Sequence, residues 1–130
     1  MEKILGSWNL KKNNNFNKFL VFTQTPWYQR IIAENSSINV SIIEEDGGYT
    51  KKIDSAFYNT EEFIILDDTF REYNNIQKKY TLENNTIDTD IKGTIVNWNE
   101  KIYRQSDSLI IEYSWLEDGE LIFASQDFGK

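Results

Sequence analysis

From Ile38 to the end of the chain, apolar and polar residues alternate in short runs, and each run stops at a polar or glycine-containing turn. Ile38, Val40 and Ile42 alternate with Asn39, Ser41 and Ile43, and Glu44-Glu45-Asp46 with Gly47-Gly48 then turns into a run over 49–54. The pattern recurs over 77–82, turns at Glu83-Asn84-Asn85, resumes as Ile87, Thr89 and Ile91, and turns again at Lys92-Gly93. Runs over 94–105, 109–115 and 120–128 follow, separated by Ser106-Asp107-Ser108 and Glu117-Asp118-Gly119. A two-residue period places alternate side chains on opposite faces of a strand, and turns this short join antiparallel neighbours. The pattern predicts an all-β fold: an up-and-down antiparallel meander that loses its exposed edges by closing into a β-barrel. With further strands over 3–12 and within 55–72, the count is roughly ten.

The period changes over 14–34. Phe16, Phe19, Leu20 and Phe22 recur at three- and four-residue spacing, which predicts a short amphipathic helix. Thr25-Pro26 predicts the start of a second one, with threonine as the cap and proline at the first helical position. Trp27, Ile31 and Ile32 give that helix an apolar face. A helix-turn-helix therefore lies between the first strand and the rest, while Asn13-Asn14-Asn15 reads as loop. The 130 residues form one domain, large enough to bury a core.

The chemistry available is narrow. A net charge of −7 speaks against nucleic acid as a partner, because phosphate binding needs a basic stripe. Without cysteine or histidine the chain lacks a thiol nucleophile, the commonest general base and the commonest transition-metal ligand. The acidic pairs Glu44-Glu45, Glu61-Glu62 and Asp67-Asp68 put neighbouring carboxylates on opposite faces and lack calcium-loop spacing, so they read as solvated strand ends and turns. Tyr103 and Tyr113 are the remaining proton-transfer candidates. No metal, no cofactor and no catalysis is expected. The N-terminus lacks the long apolar run of a signal peptide or membrane span, so a cytoplasmic location is expected.

The stretch Ser55-Ala56-Phe57-Tyr58-Asn59-Thr60-Glu61, with Phe70 and Glu72 beyond it, resembles a segment of the intracellular lipid-binding proteins. That family comprises the ten-stranded fatty-acid- and retinoid-binding barrels. Gly6-Ser7-Trp8 resembles the G-x-W of their first strand, and Asn15-Phe16 the start of their helical lid. The resemblance implies a monomeric, non-catalytic carrier of a fatty acid, retinoid or similar small hydrophobic ligand. It also implies transient membrane contact through the lid helices. By the same resemblance Phe57 stands at the portal, Phe16 and Leu20 line the lid, and Arg104 holds a ligand carboxylate. The last strand offers Gln126-Asp127-Phe128 in place of the family's R-x-Y, closer to the members that carry a neutral retinol. Lys78 and Arg71 fall near the second portal turn and could steer an anion. Two other readings stay open: a lipocalin-like barrel filled by its own side chains and serving as an interaction module, or a chromophore-handling or isomerase-type barrel enzyme. An inward tyrosine or glutamate with a shifted pKa would mark the last.

Overall fold

The computed structural model describes residues 4–55 and 59–130. Its strands run β1 (Gly6–Asn14), β2 (Ile38–Glu45), β3 (Gly48–Ser55), β4 (Asn59–Ile64), β5 (Arg71–Tyr73), β6 (Ile76–Glu83), β7 (Thr86–Lys92), β8 (Asn97–Gln105), β9 (Ser108–Glu117) and β10 (Glu120–Gly129). Helices α1 (Phe16–Phe22) and α2 (Trp27–Asn35) lie between β1 and β2. The described strands form one antiparallel ten-stranded sheet in the order β4-β3-β2-β1-β10-β9-β8-β7-β6-β5. Consecutive strands pair throughout, except that β1 joins β10 and that β4 does not pair with β5. The expected meander is therefore present, but the backbone ladder stops at a seam between β4 and β5.

Asparagine sets two of the hairpins. Asn74-Asn75 (φ 49° and 70°) and Asn84-Asn85 (φ 51° and 62°) both take left-handed backbone at successive positions. A two-residue hairpin needs this geometry, and asparagine tolerates it better than other side chains. The Asn13-Asn14-Asn15 patch behaves differently from its expectation as loop. Asn13 and Asn14 belong to β1, and Asn15 alone leaves the strand, at φ 57°. The second helix also starts one residue later than expected. Pro26 is its cap residue, and the Thr25 hydroxyl pairs with that of Thr23 instead of capping.

One face of every strand points inward. Cross-strand pairs carry this face round the sheet: Trp8 with Val40, Val40 with Ile53, Ile87 with Ile102, and Leu109 with Phe128. Trp8, Ile42, Ile64, Ile87, Ile102 and Leu109, each at most 2% exposed, fill the end of the barrel away from the helices. The Trp8 indole N–H donates to the Ile4 carbonyl at 3.0 Å, which holds the buried Ile4 against this floor. At the other end α1 lays an aromatic layer over the interior. Phe19 stacks on Tyr113 at 4.3 Å between ring centroids, and Phe22 on Trp115 at 5.1 Å. Helix α2 has no fully buried residue, and its Trp27, Tyr28 and Ile31 are exposed. Among the described residues no helix is long and apolar enough to cross a membrane.

The floor is expected to act on stability alone. Replacing Trp8 with Phe removes the bond to Ile4 and leaves a void, at a cost of about 1–3 kcal/mol in urea unfolding. A Trp8→Phe protein as stable as the parent would contradict this role.

Candidate functional site

Between the floor and the aromatic layer lies a cavity of about 510 Å³. Phe16, Ile38, Val40, Ile53, Ile111 and Phe128 give it apolar walls. Thr60, Tyr73 and Asn74 also line it, as do Glu61 and Phe63 from the other face of β4, so the space runs out to the seam. A volume of this order falls within the usual range of about 300–1,000 Å³ for small-molecule sites.

Two polar groupings project into the space. The first is neutral. The Tyr113 hydroxyl donates to Gln126 Oε1 at 2.8 Å, and Gln126 Nε2 donates to Asn13 Oδ1 at 3.1 Å. A bulge in β1 makes this contact possible. The register with β10 shifts between Leu10 and Lys12, so that Asn13 stands opposite Gln126. Without the extra residue, the strand's alternation would aim Lys12 at the interior.

The second grouping is ionic. Lys51 and Glu62 are direct cross-strand partners on β3 and β4. Lys51 Nζ stands 3.2 Å from Glu62 and 4.0 Å from Glu100 of β8, across the interior. Lys78 of β6 reaches Glu62 at 3.0 Å, and the Tyr80 hydroxyl donates to the same Glu62 oxygen. The Trp98 indole N–H donates to Glu100 at 3.2 Å. Glu62 thus ties β4 to β6 where no backbone ladder does so, with the Tyr73 hydroxyl donating to the Phe63 carbonyl at 3.4 Å as a second stitch.

These contacts decide the protonation states. Burial pushes the Glu62 carboxyl up, but the charges of Lys51 and Lys78 and the Tyr80 and Lys78 hydrogen bonds outweigh it, leaving a pKa of about 2 against an ordinary 4.5. Burial pulls Lys51 down, but Glu62 and Glu100 outweigh it and raise its pKa above 10.5. Tyr80 is raised by burial and by the Glu62 charge. At neutral pH Glu62 and Lys51 are charged and the Tyr80 phenol is neutral.

The expected site residues divide. Gln126, Phe128 and Phe16 line the cavity. Leu20 lies elsewhere: with Phe16, Tyr28, Ile32 and Ala33 it lines a second space of about 610 Å³ between the helices. Phe57 lies outside the described residues. Arg104 requires correction, because it is exposed and does not line the cavity. It shares the pleat of Glu100 and Ile102, but it stands on the last pleat of β8, beyond the floor. There its Nε donates to the Ser106 carbonyl at 2.9 Å, and its guanidinium sits 5.7 Å from the Trp8 ring centroid. Lys78 and Arg71 are engaged with Glu62 and Asp67 respectively. Tyr103 pairs with Glu112, opposite Tyr113 in role as well as facing. Glu62, expected as a solvated strand end, projects into the interior and is half-buried, its side chain 15% exposed. Among the described residues no group of three or more acidic side chains is placed to hold a metal ion.

The ionic group is expected to show in acid. A carboxyl whose folded pKa lies below its unfolded value contributes stability above about pH 4.5 and loses it as pH falls towards about 2. Replacing Glu62 with Gln should cost about 3 kcal/mol at pH 7 and less than about 1 kcal/mol near pH 2, in denaturant unfolding at both values. An equal loss at both would contradict the pairing.

Comparison with known proteins places this geometry. No family model matches the chain. A fatty acid-binding protein of the mite Tyrophagus putrescentiae is 32% identical over 72 residues, which are 55% of this chain and 55% of that protein. The match thus spans about half of the curated relative's length. Among solved structures, fatty-acid-binding protein 1 of Echinococcus granulosus aligns over 100% of this chain and 98% of its own, with a TM-score of 0.88 at 17% identity. The fatty acid binding protein of Schistosoma mansoni, solved in complex with arachidonic acid, covers 100% of this chain and 97% of its own, with a TM-score of 0.86 at 14% identity. The chain has the fold of the fatty-acid-binding proteins and resembles the intracellular lipid-binding family in sequence.

Proposed function

We propose that this protein is a non-catalytic carrier that holds one small hydrophobic molecule, a fatty acid or a similar ligand, in the barrel interior. The observation that carries the reading is the apolar-walled cavity of about 510 Å³, open along the seam and bounded by the Trp8 floor and the α1 aromatic layer. Each methylene moved from water onto those walls contributes about 0.8 kcal/mol, so a chain of modest length binds without strong polar contacts. Phe16, Phe128 and Gln126 are the expected ligand-facing residues, and Leu20 extends the apolar path between the helices. Exposed Trp27, Tyr28 and Ile31 on α2 support transient contact with a membrane surface, where aromatic side chains partition favourably. The reading includes work as a monomer in the cytoplasm.

The enzyme alternative needs an acid or base poised near the working pH. The inward Glu62 and Tyr80 do have shifted pKa values, but both shifts lead away from neutrality. The interaction-module alternative draws on the aromatic layer of Phe16, Phe19, Phe22, Tyr113 and Trp115, which fills the upper interior. The open space below that layer favours a carrier.

The experiment is uptake of Nile red, a neutral apolar dye, by delipidated protein and by Ile53→Trp, which fills the cavity wall. Saturable uptake near one equivalent, weakened at least tenfold in a folded Ile53→Trp variant, is the expected result. Absence of uptake by the parent protein, or unchanged uptake by the filled variant, would overturn the assignment.

A further inference from the structure

We infer that the cavity selects a ligand with an uncharged polar end, a long-chain alcohol or primary amide, over the corresponding carboxylate. This rests on the carrier reading and specifies what is carried. The charged groups that face into the cavity are two lysines, Lys51 and Lys78, against two glutamates, Glu62 and Glu100, while Glu61 reaches its rim from the exposed face of β4. Both lysines already face carboxylates: Lys51 stands between Glu62 and Glu100, and Lys78 is held by Glu62. The arginine that would have supplied an additional cation lies below the floor, with its guanidinium over Trp8 and near Asp107. A carboxylate entering this space would give up its hydration and find both inward cations already held by carboxylates. Desolvation without a free counter-charge penalises the ionised form there.

The neutral grouping has what an alcohol or amide requires. Gln126 is 5% exposed, and it uses one amide N–H on Asn13 and one lone pair of its oxygen on Tyr113. A primary amide group carries two N–H donors and two acceptor lone pairs, so one of each remains to be offered. A hydroxyl or carboxamide can meet both at once, donating to Oε1 and accepting from Nε2. A carboxylate has no proton to donate and would set its charge against Oε1. Phe16, Ile111 and Phe128 line the same cavity as Gln126, so the ligand's chain has apolar walls on which to lie.

The experiment is equilibrium dialysis of delipidated protein at neutral pH against radiolabelled hexadecanol, hexadecanamide and hexadecanoate, which share a chain and differ at the end. Hexadecanol or hexadecanamide should bind near one equivalent and at least tenfold more tightly than hexadecanoate. Glu100→Gln, which frees Lys51 from one of its two carboxylates, should narrow the preference by strengthening hexadecanoate several-fold relative to hexadecanol; retained alcohol binding also shows that the variant folds. Hexadecanoate binding as tightly as the alcohol, or a Glu100→Gln variant that leaves its affinity unchanged, would overturn the selectivity while the carrier stands. Failure of all three compounds, together with exclusion of Nile red, would overturn the carrier reading itself.

Discussion

The half-buried carboxylate of Glu62 bridges the two open edges of this barrel. The ladder ends at β4 on one side and β5 on the other, and edges left in that state are open to other strands and to water. Glu62 spans the break by receiving Lys51 from its own side and Lys78 and Tyr80 from the far side. A carboxylate so placed is costly to bury alone, and its partners offset that cost only as long as all remain in position. The same residue therefore holds the two edges together and fixes how much charge the interior can still accept.

The cavity is what remains after three kinds of filling. Isoleucines and Trp8 occupy the end of the barrel below it, and α1 contributes the rings above. The ionic group takes the middle of the wall from β3 across to β8. None of these fillings reaches the wall formed by Val40, Ile53, Ile111 and Phe128, where the space stays open. The bulge in β1 adds the last element, because it presents Asn13 rather than a lysine to Gln126. The polar end of the cavity is consequently neutral as a matter of backbone register.

Much of the architecture could be read from the sequence, because strand alternation and turn chemistry are local. The strand meander and the two helices follow from periodicity, turn residues and the Thr25-Pro26 start signal, and the shared face of Ile38, Val40 and Ile42 follows from alternation. What the sequence concealed depends on where a strand ends in space. Arg104 has the inward parity, yet the floor is reached one pleat earlier, so its side chain turns to solvent. Lys51 and Glu62 also have inward parity, sharing it with Ile53 and Ile64, but charged residues among acidic and basic neighbours read as surface. Their pairing across β3 and β4 was the available signal, since opposite charges facing each other on an inward row can be buried together. The Asn13–Gln126 contact was not legible, because nothing in the residues around Lys11 announces a bulge.

The most direct measurement is mass spectrometry of whatever apolar molecule leaves the purified protein on denaturation, quantified against protein. One equivalent of an uncharged lipid bearing a hydroxyl or amide end is the expected result. A stoichiometric free fatty acid would contradict the neutral site, and a protein that releases nothing and takes up no apolar dye would contradict the carrier.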